Sequence, residues 1–348
     1  MALPLYSPAS ILYSGPAPEA HSRDQPRMLE PIDTLVTVFG GSGFLGRHLV
    51  QALARRGFRI RVAVRRPDLA GHLQPLGHVG QIHAVQANVR FPASVAAAVQ
   101  DAAIVINLTG ILYERGRQRF EAVQALGAGT VATAAERVGA RMLHVSALGA
   151  DPQSRSRYAR SKARGEAAVL AAAPGAMIFR PSILFGPEDD FFNRFAAMAR
   201  ISPVLPLIGG GHTRFQPVFV GDVASALAQA ADGAGTPATL YEFGGPDVKT
   251  FRELMEFILA TIMRHRLLVP IPFALAEWQA LLLQFWPRPL LTPDQVTLLR
   301  RDNVVSVEAE RKGRTLAGFG IAPASMAAIA PGYLWRFRKS GQFRGRVA

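Results

Sequence analysis

Short β-branched runs alternate along this chain with stretches whose apolar residues recur every third or fourth position. The runs at 36–39, 58–64, 83–89, 103–110 and 141–146 read as strands. A sixth begins at 176 and runs into a loop marked by Gly186 and Pro187. Helical spacing follows the first run at Leu45, Leu49, Val50, Leu53 and Ala54, and returns at 94–100, 120–138 and 158–172. Strands separated by helices of crossover length build a parallel sheet with helices on both faces. Further on, 216–224 reads as a short strand leading into a helix that Asp222 would cap, and 240–243 as another strand. Thr250 would cap a helix reaching about 264, and Thr292 another with Pro293 at its first position. The predicted class is therefore α/β, a doubly wound parallel sheet. Its organisation is an extension at 1–33, a sheet-bearing domain at 34–185 to which the strands near 216–224 and 240–245 return, and a mainly helical lobe with a basic tail over the rest of 186–348.

The chemistry begins where the first strand meets its helix. Gly40, Gly43 and Gly46 stand in a G-x-x-G-x-x-G spacing, with Ser42, Phe44 and Leu45 between them. Strand, glycine turn and helix together are the context of a dinucleotide fingerprint. The turn has to bring backbone N–H groups close to a pyrophosphate, where a Cβ would intrude, and the pyrophosphate then meets the positive end of the helix. In such a sheet ligands bind beyond the carboxyl ends of the strands. Asn88, Val89, Leu108, Thr109, Gly110, Ser146, Pro181 and Ile183 fall at or just after such ends.

The second strand ends in Arg65-Arg66 with no acid before Asp68. An NAD site places an Asp or Glu near that point for the ribose 2′-hydroxyl, whereas two guanidiniums suit a 2′-phosphate. This favours NADP(H); a solvated basic loop is the competing reading. Tyr158 and Lys162 form an i, i+4 pair on one helix face, with Ser146 at the neighbouring strand end. A cation beside a phenol favours phenolate, and such a tyrosine exchanges a proton with a carbonyl or alcohol while a nicotinamide handles hydride. The same pair also suits simple binding of the cofactor, so Ser146, Tyr158 and Lys162 are candidate catalytic residues or cofactor contacts.

Composition narrows the classes. The 348 residues are 49% hydrophobic and 18% charged, the balance of a folded protein. Without cysteine there are no disulfides, zinc–thiolate sites or cysteine nucleophile. His83, His144 and His212 lack metal-ligand spacing, and Glu188, Asp189 and Asp190 read as a solvated loop, so no metal site is expected. The net charge of +14 admits an anionic membrane surface or an acidic protein as partner. Nucleic acid is not expected, since no finger spacing or aromatic RNA-binding signature accompanies the charge. No apolar run reaches a span's length, about 20 residues, because Pro270, Pro272, Glu277 and Gln279 interrupt 267–286. Residues 1–31 lack a secretory signal pattern and read as a mobile extension or an over-extended start ahead of Met28.

The glycine fingerprint, Tyr158/Lys162, the Arg180-Pro181…Phe185-Gly186-Pro187 segment and Val220-Gly221-Asp222-Val223 resemble an extended short-chain dehydrogenase/reductase. Within that superfamily the strings 38–46, 144–148, 156–166 and 185–195 are similar to the family of NADPH-holding accessory subunits of respiratory complex I and its bacterial relatives. The resemblance runs over about residues 34–319. It implies a Rossmann fold, tightly held NADPH and no established turnover. It further implies a peripheral position on the cytoplasmic side of a bacterial inner membrane, with the lobe after Gly186 near other complex I subunits at the quinone site. Phe273, Leu275, Trp278, Leu281, Leu282 and Phe285, flanked by Arg264, Arg266 and Arg288, fit either a helix against a membrane or hydrophobic partner, or an ordinary core helix. Against the subunit reading stands a free-standing NADP-dependent reductase, epimerase or dehydratase using Tyr158 and Lys162, and, with less weight, an NADP-sensing regulator.

Overall fold

A computed structural model describes residues 31–284, 289 and 291–340. The calls on residues 1–30, Phe285, Trp286, Arg288 and the tail from 341 lie outside the described residues. Seven strands form one parallel sheet: β1 (Leu35–Phe39), β2 (Arg59–Val64), β3 (Ile82–Gln86), β4 (Ile104–Asn107), β5 (Arg141–Val145), β6 (Met177–Pro181) and β7 (Leu240–Phe243). Their order is 7-6-5-4-1-2-3. It reverses direction between β1 and β4, the point where a crevice opens in such sheets. β1 is held by Val36↔Ile60 and Val38↔Val62 on one side and by Val36↔Ile104 on the other.

Helices cover both faces because β1, β2, β4 and β5 are apolar on both. α1 (Phe44–Arg55) packs on α6 (Val220–Ala231) over one face, where Val36, Val38, Leu49, Val50, Leu53, Val223 and Leu227 are fully buried. α2 (Pro92–Val99), α3 (Leu126–Arg137) and α4 (Arg157–Ala172) cover the other, around Val95, Val105, Val131 and Val169. Each such side chain contributes about 1.5–3 kcal/mol by leaving water. A separate cluster joins α5 (Phe191–Ile201) and α7 (Phe251–Thr261) through Phe192, Leu205, Phe251, Leu254 and Ile258. Thr250 with Glu253, and Thr292 with Gln295, make capping boxes at the predicted starts of α7 and α9 (Pro293–Leu298).

Several expectations change. β3 stops at Gln86 rather than 89 because the Asn88 N–H turns to the Ser94 hydroxyl at 3.0 Å. β4 stops at Asn107 because its side chain accepts the Thr109 N–H at 3.0 Å, a local turn competing with the ladder. The helix expected over 120–138 opens with a π turn, Glu121–Ala125, before α3. Val218–Phe219 does not return to the main sheet; it pairs with Leu184–Phe185. Asp222 lies in the first turn of α6, not at its cap, and accepts the Ala324 N–H at 2.7 Å. Asp189 is buried rather than solvated: it receives the Gly186, Phe192 and Asn193 N–H groups and the Tyr333 hydroxyl, while Glu188 pairs with Arg47.

α8 (Phe273–Leu283) settles the core-or-surface alternative by being both. Ala276 and Ala280 are buried against Val296 of α9, while Leu275, Trp278, Leu281 and Leu282 are each about half exposed or more. The Arg264 and Arg266 side chains donate to the Phe337 and Ala199 carbonyls. Among the described residues no helix is long and apolar enough to cross a membrane.

α4 approaches the π turn closely because Gly165 has no side chain; an added Cβ would run into the Gln124 carbonyl oxygen. Replacement by Ala forces backbone apart. Despite alanine's better helix propensity, Gly165→Ala should lower unfolding stability by about 2 kcal/mol, read from the midpoint of a urea titration.

Candidate dinucleotide site and its tyrosine helix

All seven strands run in one direction, so their carboxyl ends share one edge, and the turn after β1 lies there. Gly40 has φ +77°, and a Cβ on it would stand 3.3 Å from the Leu108 carbonyl carbon and the Thr109 nitrogen. Gly46 packs so tightly that a Cβ would run into the backbone of Gly40 and Gly41. Gly43 occupies the N-cap of α1, where no side chain accepts a hydrogen bond from the helix. Ser42 and Phe44 are half-buried, and Leu45 points into the core.

Around this turn stand the other residues read from the sequence. Arg65 and Arg66 follow β2 and are exposed; the Arg66 guanidinium forks onto Asp68 at 2.7 and 3.0 Å. Asn88 and Val89 follow β3, with Val89 buried against Gly127 of α3. Leu108, Thr109 and Gly110 follow β4. Pro181 ends β6 and is buried, whereas Ile183 packs with the cluster around α5 and α7.

The tyrosine helix is fixed at its start by two caps. The Ser156 hydroxyl accepts the Ala159 N–H at 3.1 Å and donates to Asp294 of α9 at 2.8 Å. The same carboxylate accepts the Arg157 and Tyr158 N–H groups at 2.6 and 3.1 Å. The Tyr158 ring meets Phe120 edge to face at 5.8 Å. Lys162 Nζ lies 6.0 Å from the ring centroid, donates to the Val145 carbonyl at 3.3 Å and borders Gly110.

The electrostatics differ from the simple expectation that Lys162 lowers the phenol's pKa. Burial, then the Asp294 carboxylate, push Tyr158 up to about 12. Burial lowers Lys162 to about 8 although Glu166 opposes it. At neutral pH this places an ammonium group beside a protonated phenol.

Around the pair lies a buried polar layer of which sequence reasoning gave a role at the site to Ser146 but not to Asn107, His144 or Gln124. Asn107 Oδ1 accepts the Thr109 N–H, which orients its amide so that Nδ2 donates to His144 Nδ1 at 3.3 Å. Neutral His144 then carries its proton on Nε2, which has no partner, and the buried Ser146 hydroxyl has none either. Ser161 donates to Gln124 at 2.9 Å, and Arg180 holds Glu166 through two bonds of 2.8 and 2.6 Å, tying β6 to α4. Polar residues inside otherwise apolar strands were the signal for Asn107 and His144. Asp294, 136 residues from Tyr158, offered none.

These residues fit a dinucleotide. A left-handed glycine cradle closes against β4, the N-terminus of α1 is free of side-chain caps, and the orphan Ser146 hydroxyl lies at the same edge. Among the described residues no cluster could hold a metal ion.

Comparison with known proteins agrees with the geometry. The pattern of the NAD dependent epimerase/dehydratase family matches residues 36–242. The chain belongs to this family. It is 37% identical over 320 residues to the mitochondrial NADH dehydrogenase (ubiquinone) 1 alpha subcomplex subunit 9 of Arabidopsis thaliana, covering 88% of this chain and 79% of that one. It is also 37% identical over 193 residues to a ceramide reductase of Caulobacter vibrioides, covering 56% of this chain and 59% of that one. Among solved structures, an NADPH-dependent quinone oxidoreductase from Escherichia coli has the same fold, with a TM-score of 0.67 at 18% identity over 86% of this chain and 99% of that one. The resemblance to complex I subunits and the Rossmann-like fold read from the sequence both stand.

Burial and the neighbouring Lys162 lower His144 to about 3, so it stays neutral in the fold. Between about 6.5 and 3 the unfolded chain binds a proton that the folded chain refuses. Its contribution is therefore full above pH 6.5 and is lost as the pH falls. Between pH 7 and 5 the wild type should lose about 2 kcal/mol more stability than His144→Gln, measured by urea unfolding at both pH values.

Proposed function

We propose that this chain is an accessory or assembly subunit of a respiratory NADH:ubiquinone oxidoreductase that holds NADPH mainly for structure. The observation that carries this reading is the extent of the similarity, 88% of this chain against 79% of a complex I subunit. Its partners are other complex I subunits near the quinone site, with the exposed face of α8 turned toward them or an anionic membrane surface. It sits peripherally, on the cytoplasmic side of a bacterial inner membrane. Bound NADPH would supply a hydride donor at this edge. Gly40, Ser42, Gly43 and Gly46 would hold the pyrophosphate, Arg65 and Arg66 the 2′-phosphate, and Tyr158 and Lys162 the ribose beside the nicotinamide. A phenol pushed up to about 12 retains its proton near neutral pH, so it can donate a hydrogen bond to that ribose.

The ceramide reductase similarity and the presence of Ser146, Tyr158 and Lys162 favour a second reading, a free-standing NADP-dependent reductase. There Lys162 would keep its charge against the phenol and Ser146 would hold the substrate oxygen that exchanges a proton with Tyr158.

Purification from membranes in mild detergent separates the two. Under the subunit reading, NADPH is recovered in proportion to the chain and both co-migrate with complex I. A chain that sediments alone, with readily exchanged NADP⁺ or none, sinks that reading. The 2′-phosphate assignment has its own check. Replacing Arg65 and Arg66 together by Ala should weaken NADPH about tenfold or more and NADH less than twofold, by fluorescence titration. Equal losses would mean the phosphate lies elsewhere.

A further inference from the structure

The segment from Thr292 to Asn303 runs across the carboxyl edge of the sheet and holds it at successive points. Asp294 takes the Ser156 hydroxyl and the Arg157 and Tyr158 N–H groups of α4. Arg301 pairs with Asp151, beyond β5, at 2.5 Å. The Asn303 amide donates to the Leu148 carbonyl at 3.3 Å and accepts the Ser182 hydroxyl, just past β6, at 2.7 Å. The other side of the segment faces α8. Arg300 pairs with Glu277 at 2.8 Å and lies over the Phe273 ring at 4.4 Å, while Val296 packs on Ala276 and Ala280.

Asp294 stands at the junction. It lies in the first turn of α9 and against the first turn of α4, and both helix N-termini favour its negative charge. Removing it leaves the Ser156 cap of α4 but strips two N–H groups of their acceptor, one of them on Tyr158 itself. We propose that Asp294 is a positioning residue: it fixes the turn that carries Tyr158 and couples occupancy of the dinucleotide site to the order of the α8–α9 pair. This rests on the reading of the carboxyl edge as a dinucleotide site. Coupling of this kind is reciprocal. Whatever holds α8 and α9 in place raises dinucleotide affinity, and loss of the dinucleotide loosens α9 and the apolar helix packed on it.

Hydrogen exchange of the full chain, with and without NADPH, tests this directly. In the wild type NADPH should slow exchange of the 40–47 amides and also of the 294–299 amides. In Asp294→Ala the first protection persists and the second disappears, with NADPH affinity lower by about tenfold; Asp294→Asn, which keeps one carbonyl acceptor, falls between. Protection of 40–47 without 294–299 in the wild type overturns the coupling while leaving the dinucleotide reading intact. No protection at either segment overturns both. Should Asp294→Ala fail to fold, Asp294→Asn decides: protection of 294–299 and NADPH affinity both unchanged from the wild type overturn the role of Asp294.

Discussion

Backbone polar groups at the carboxyl edge of a parallel sheet must find partners outside the ladder, and this constraint shapes the whole molecule. Side chains supply many of those partners here. Asn107 closes β4, Asn88 and Ser94 close β3, Asn303 bridges the ends of β5 and β6, and Asp294 caps the helix that follows β5. The site is therefore a place where local hydrogen bonds have replaced the ladder. Strand ends ordered in this way can face a ligand without collapsing onto one another.

The same layer decides what the tyrosine can do. A phenolate needs a nearby cation more than it suffers from burial and anions. Lys162 supplies a cation, yet burial of the phenol itself, and then the Asp294 carboxylate, leave it protonated, and burial lowers Lys162 as well. His144 adds no charge, since burial and Lys162 keep it neutral. The three residues are thus present together with the phenol in its protonated form. Presence of the three residues and their catalytic competence are separate questions.

Much of the fold was legible because strand and helix periods differ so clearly between residues 36 and 181. Pro293 and Thr292, and Thr250, marked helix starts by capping chemistry that acts within four residues. What escaped was partly local and partly not. The strand ends at 86 and 107 depended on side-chain turns that compete with the ladder by small margins. The pairing of Val218–Phe219 with Leu184–Phe185 joins short segments more than thirty residues apart, for which no period exists. At the site, the glycine turn could be read from spacing alone, because sterics act locally. The clasp of Asp294 on α4 could not, since a single Asp in a capping sequence looks the same whichever helix it serves.

The positive charge is the instructive case. Read along the sequence, a net +14 points outward to an anionic partner. In the fold, part of that arginine turns inward. One terminal nitrogen of Arg61 donates to the Ala98 and Gln100 carbonyls at the end of α2, and Arg141 does the same for Ala230 and Ala231 of α6. Arg266 reaches Ala199 near the end of α5, and Arg338 reaches Thr261 at the end of α7. Four helix C-termini are thus closed by guanidiniums from distant segments. The chemistry suits arginine: its charge complements the negative helix end, its donors are several and fixed, and it loses less hydration than an ammonium. A chain that caps its helices this way accumulates arginine for internal reasons. Its net charge alone is then weak evidence for an anionic partner, and the case for a docking surface rests on the apolar face of α8.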